Sequence, residues 1–168
     1  MIRSLSRLSL LMLVPLTASF VLAEDKKEST KFEMTKDEQT LLELLNKERT
    51  KADLPALKPN PMLFKAARGH SANMAKQEKM EHVLDGKRPA QRVEATGYNW
   101  GKVSENIAVS QGGQPPLAVI VKSWMDSKTH RENLLSNRVT ETGLGIARNA
   151  KGEIYYTQVF ARPQRVKK

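Results

Sequence analysis

An α+β fold, with an antiparallel sheet covered by helices, is what three features of this sequence predict. Apolar residues recur at helical spacing through the first half of the chain, after clear start signals. Two strand-like runs, Glu141 to Arg148 and Glu153 to Ala161, are joined by Asn149-Ala150-Lys151-Gly152, a hairpin signal. Helical segments precede, separate and flank the strands, and no internal repeat appears.

The elements follow in order along the 168 residues. Arg3 and Arg7 precede an apolar run from Leu8 to Ala23, closed by Val21-Leu22-Ala23 and followed by Glu24-Asp25-Lys26-Lys27. That is the layout of a cleaved export signal over residues 1–23. Its 16 apolar-run residues fall short of the roughly 20 that a spanning helix needs, so no membrane segment is expected after cleavage. Residues 24–36 form a charged leader without apolar periodicity. Thr35-Lys36-Asp37-Glu38 is a capping-box signature ahead of Leu41, Leu42, Leu44 and Leu45, and predicts a helix over 37–52. Lys58-Pro59-Asn60-Pro61 breaks the chain, with Asn60 as cap and Pro61 at the first position of a helix over 61–80. Asp85-Gly86 is a turn, and Pro89 starts a short helix ending at Gly97. Lys102 to Ser110 alternates as a strand. Gly112-Gly113 and Pro115-Pro116 interrupt the chain before a helix opening at Leu117, and His130 to Leu135 adds one or two turns. The folded domain is expected over 37–163, with a basic tail at 164–168.

Composition narrows the function classes. Without cysteine there is no disulfide framework, no thiolate zinc site and no lipid attached through a cysteine after the signal. Losing Arg3 and Arg7 with the signal leaves 26 Lys and Arg against 18 acidic residues, a net charge of +8. Such a surface suits an anionic envelope. The few aromatics do not interleave with the basic residues, so nucleic acid is not an expected partner. Nothing points to an oligomer, and a monomer is expected.

Chemistry concentrates in SENIAVS, Ser104 to Ser110. Strand alternation puts Glu105 on the same face as Ile107 and Val109, where a carboxylate needs a cation or donors. The chain has three histidines. His70, between Ala67 and Met74, reads as a core-facing ring, while His82 and His130 sit close to helix ends. His82, Glu105 and His130 together form a reasonable divalent-metal set, or an acid–base site in which the carboxylate orients an imidazole. They equally suit a cleft that is only structural. No protein nucleophile is marked: there is no G-x-S-x-G elbow and no phosphate-binding glycine loop.

The segments LLELLNKERTKADLPALKPNPMLFKAARGHSANMA, MEHVLDGKRPAQRVEATGYNW, SENIAVS, VKSWMDSKTHRENLL, ETGLGIA and YYTQVFARP occur in that order and register. Together they resemble the CAP superfamily of cysteine-rich secretory, antigen 5 and pathogenesis-related proteins, in its cysteine-free bacterial exported branch. The resemblance covers Asp37 to Pro163 and implies an α–β–α sandwich around a cavity. Carried over by motif, it assigns His82, Glu105 and His130 to that cavity, with a zinc-like divalent metal as the implied cofactor. His70, Asn106 and Asp126 stand in support. Ser104 takes the place of the usual glycine, and the second acidic residue of the family has no match, Asp126 being displaced by one position. The resemblance implies an exported protein, periplasmic or extracellular, that binds an apolar small molecule or an envelope component. A metal-assisted or His/Glu hydrolase is the alternative.

Overall fold

The computed structural model describes residues 32–165. The expected signal segment, most of the leader and the end of the basic tail lie outside the described residues. The first helix, α1 (Lys36–Lys51), starts on the predicted capping box. Thr35 Oγ1 accepts from the Glu38 N–H at 3.2 Å, and Glu38 Oε2 accepts from the Thr35 N–H at 2.8 Å. The same buried carboxylate takes Nε and Nη2 of Arg68, at 2.8 and 2.6 Å, from the second helix. The cap therefore also docks one helix on the other. At its far end α1 carries Arg49, a buried guanidinium that donates to the carbonyls of Pro55, Leu134 and Ser136.

Lys58–Pro59, expected as a break, forms a two-residue strand, β1, parallel to Glu141–Thr142. Lys58 N–H donates to Thr140 O and Asn60 N–H to Thr142 O, while Pro59 between them has no N–H to place. Asn60 then caps α2 (Pro61–Gln77), its Oδ1 accepting from the Met62 N–H at 2.9 Å. The helix ends three residues before the predicted Met80, because Glu78 turns left-handed at φ 55°. Next come α3 (Pro89–Glu94), β2 (Trp100–Ser110), α4 (Leu117–Asp126), α5 (Lys128–Leu134), β3 (Glu141–Arg148) and β4 (Ile154–Pro163). The hairpin loop closes as its sequence predicts: Asn149 Oδ1 accepts from the N–H groups of Lys151 and Glu153, and Gly152 takes φ 83°.

The sheet order is β1-β3-β4-β2, antiparallel except at β1. Its central strand β4 is buried on both faces from Ile154 to Ala161. Val159 and Ala161 pack with Leu63, Ala66 and Ala67 of α2 and Val93 of α3. Tyr156 and Phe160 pack with Leu41 and Leu45 of α1 and Trp124 of α4. Helices on both faces of one sheet make the α–β–α sandwich that the family resemblance implies. The α2 layer sits closest: a Cβ added to Gly143 of β3 would stand 2.0 Å from the Leu63 carbonyl carbon. Ser71 Oγ, also on α2, lies 2.9 Å from Gly145 O and 2.8 Å from Thr157 Oγ1.

Candidate functional site

Glu105 stands in the middle of β2, opposite Val159 of β4, and is 5% exposed on the face that α2 and α3 cover. Its neighbours come from three elements. From α3, Arg92 Nη2 donates to Oε2 at 2.7 Å. From the segment after α2, His82 Nδ1 lies 2.8 Å from Oε1. From α2 itself, His70 Nε2 lies 3.8 Å from the same oxygen. Because a carboxylate only accepts, His82 carries its proton on Nδ1 and leaves Nε2 free. The His82 side chain is 47% exposed, so this edge of the cluster meets solvent.

Local sequence explains the placement. Asp85 at φ 51° and Gly86 at φ 69° fold the chain back after α2, bridging Leu84 to Lys87. Asn73 and Gln77 of α2 hold the Asp85 carboxylate at 2.8 and 3.0 Å. Arg92 then ties the segment down, since its Nη1 donates to His82 O at 3.0 Å and Lys87 O at 2.7 Å. One guanidinium thus neutralises Glu105 and fixes the backbone that presents His82.

Asn106 and His130 are linked on the opposite face of β2. Asn106 Nδ2 donates to the backbone carbonyl of His130 at 3.0 Å, and its Oδ1 accepts from Asn133 at 3.0 Å. Asn133 also donates to the Glu105 carbonyl at 3.3 Å. These amides anchor α5 on β2 and carry the half-buried His130 ring, which forms no hydrogen bond among the described residues. Burial pushes its pKa down, and so does its proximity to the His82 ring. Asp126 is not in the cluster. Its side chain is 64% exposed and pairs with Lys122 at 2.6 Å. Ser104 lies in extended strand opposite Phe160, so the position demands no glycine here.

The sequence reading missed Arg92, one basic residue among many on a short helix. The signal was the question Glu105 itself raises, since a buried carboxylate requires a cation. The reading of His70 as a core histidine stands, with the ring 1% exposed, but the ring is not satisfied. Neither of its nitrogens has a hydrogen-bond partner among the described residues. Burial holds its pKa below the ordinary imidazole value, with the Glu105 carboxylate opposing that and the Arg92 cation adding to it.

The sign for stability follows from proton counting. Below about pH 6.5 the unfolded chain protonates this histidine more fully than the folded one, so acid favours unfolding. Urea midpoints of the wild type should therefore fall as pH drops below that value, and His70→Gln should reduce the fall. An equal fall in both proteins would assign the effect elsewhere.

The three expected metal ligands do not assemble as a metal site. Glu105 spends Oε1 on His82 and Oε2 on the Arg92 cation, and Asp126 faces solvent. Among the described residues no group of three His, Asp or Glu side chains is arranged to hold a metal ion. A closed zinc site takes four ligands and an open one three from the protein, so the residues as placed do not fit a resident zinc ion.

Beside the cluster, α2, α3 and the 84–87 turn enclose an open groove of about 500 Å³. Ala66, Gly69, Ala72, Leu84 and Ala95 give it small apolar walls, and Lys65, Lys76, Lys87 and Arg92 line it with positive charge. Asp85 is its one acidic lining residue, and Asn73 and Gln77 already engage that carboxylate.

Residues 42–160 match the cysteine-rich secretory protein (CAP) family. Among curated proteins, the uncharacterized protein YkwD of Bacillus subtilis is 31% identical over 126 residues, covering 74% of this chain and 47% of that one. The chain thus spans about half the length of this relative. An extracellular SCP-domain protein from Bacillus anthracis superposes with a TM-score of 0.62 at 26% identity, covering 79% of this chain and 45% of that one. An outer surface protein of Borrelia burgdorferi gives a TM-score of 0.72 at 20% identity, covering 80% and 98%. A more distant structure of the same fold, NaASP2 crystallised with Zn2+, is 15% identical with a TM-score of 0.55 and coverage of 76% and 80%. The matched proteins include extracellular and surface proteins, and among the described residues no helix is long and apolar enough to cross a membrane.

Proposed function

This chain belongs to the cysteine-rich secretory protein (CAP) family, and from that premise we propose that it is an exported binding module whose groove between α2 and α3 takes an anionic amphiphile of the cell envelope. The observation that carries the reading is the lining of the groove: small apolar walls under three lysines and Arg92. Its volume of about 500 Å³ lies within the range of small-molecule sites. The lysine ammonium groups suit a phosphate or carboxylate headgroup, and the alanine and leucine walls suit the start of an acyl chain. Secretion under the apolar run at Leu8 to Ala23 would place the protein at the envelope.

Titration with lysophosphatidylglycerol below its micelle concentration tests this, with lysophosphatidylcholine as the zwitterionic control. The anionic lipid should bind more tightly, and the Lys65→Glu/Lys76→Glu/Lys87→Glu variant should weaken it about tenfold or more. Equal affinity for both lipids, or an unchanged affinity in the variant, overturns the reading.

The Glu105–His82 pair favours a second reading, a hydrolase in which His82 Nε2 takes a proton from water. No Ser or Thr hydroxyl hydrogen-bonds the His82 ring among the described residues, so water would have to be the nucleophile. This reading requires turnover on a peptide or ester panel that His82→Ala abolishes without unfolding the chain.

A further inference from the structure

We propose that Arg92 is the built-in cation of this cleft: it occupies the side of Glu105 that a divalent ion would need, and makes the site independent of metal. Glu105 is 5% exposed on the α2 side of the sheet and needs one positive charge there. A metal ion at that position would bond a carboxylate oxygen and draw further ligands from His82 or His70, whose ring nitrogens lie 2.8 and 3.8 Å from Oε1. Instead Arg92 Nη2 sits 2.7 Å from Oε2, and His82 Nδ1 sits 2.8 Å from Oε1, so each oxygen already accepts a hydrogen bond, one of them from a full cation. A second cation beside the guanidinium would be repelled in a site from which water is largely excluded.

Arg92 is also held in place from its other end. Its Nη1 donates to His82 O and Lys87 O, so the side chain cannot swing away without releasing the segment that carries His82. It springs from α3, whose start is fixed by Pro89 and by Gln91 Oε1 accepting from the Arg88 N–H at 2.9 Å. Its side chain is 10% exposed, which is the burial of a structural charge and not of a surface arginine.

Removing Arg92 should therefore open the cleft to metal. In thermal melts with zinc chloride at about tenfold molar excess, the wild type should not move. Arg92→Ala should melt several degrees lower and recover part of that loss when zinc is added. The recovery should vanish in Arg92→Ala/Glu105→Gln. Arg92→Gln, closer in size, repeats the test where the alanine variant folds poorly. A zinc-induced rise in the wild type that Glu105→Gln abolishes overturns the proposal. So does a failure of zinc to stabilise or refold both Arg92 variants.

Discussion

Gly143→Ala is expected to lower the unfolding free energy by about 4 kcal/mol or more, or to prevent folding, with Gly145→Ala close behind. A methyl on Gly143 would stand 2.0 Å from the Leu63 carbonyl carbon and 2.2 Å from the Phe64 nitrogen. On Gly145 it would stand 2.3 Å from the Ala67 oxygen. These are backbone atoms of a helix, so no rotamer change relieves the contact. The whole of α2 would have to lift from β3, breaking the Ser71 Oγ contact with Gly145 O and loosening Leu63 and Ala67 from Val159. Gly69→Ala is the matched control on α2. It meets nothing within 4 Å, and alanine in a helix should be neutral or stabilising by up to about 1 kcal/mol. Urea unfolding followed by circular dichroism separates the three. A Gly143→Ala midpoint close to wild type would mean that the helix does not sit this near the sheet.

That close approach shows which parts of the fold the sequence exposes. Features with local causes were legible: the Thr35–Glu38 capping box, the Asn60-Pro61 start and the Asn149–Gly152 hairpin loop appear where their chemistry puts them. Features that arise only when distant segments meet were not. Gly143 and Gly145 alternate in ETGLGIA, a spacing that puts both on one face of a strand and marks a close neighbour. The strand and the helix over 61–80 were each read, but not their close contact, which needs those glycines. β1 was too short, and too rich in proline, to carry any periodicity. The alternation in β2 put Glu105 on a buried face, but it carried no sign of what covers the other face. Asn106 on that other face is 0% exposed, because α5 covers it through Asn133 and the His130 carbonyl.

The site shows the same division. A buried glutamate announces that it has a partner, and chain order narrowed the choice to His82 and His130. His82 is such a partner. The cation, however, comes from Arg92, whose position on α3 has meaning only after Pro89 and the 84–87 turn bring that helix over β2. Asp126 stands one position from the family's second acidic residue, and its side chain leaves α4 toward solvent and Lys122. On a helix a displacement of one residue turns a side chain to another face.

Glu105→Ala is the second large effect, an expected loss of about 3–5 kcal/mol. The cost is not the value of one ion pair. It is the cost of leaving the Arg92 guanidinium, 10% exposed, without its carboxylate, and of a cavity between β2 and α3. Glu105→Gln keeps the size and an acceptor for His82, and should lose less. Replacing both partners, as Glu105→Leu/Arg92→Met, should cost less than the two single changes added together, because no buried charge is then left unpaired. A double-mutant cycle in urea measures this coupling, and additive effects would show that the two groups do not depend on each other. The loss should also reach the groove, although Glu105 does not line it. Arg92 holds the carbonyls of His82 and Lys87, and Lys87 and Leu84 line that groove. Once Glu105 no longer fixes Nη2, the 82–87 segment loses its anchor and the basic wall loses its position. Amphiphile affinity should then fall in Glu105→Ala at temperatures where the variant is still folded, even though each groove lysine is intact.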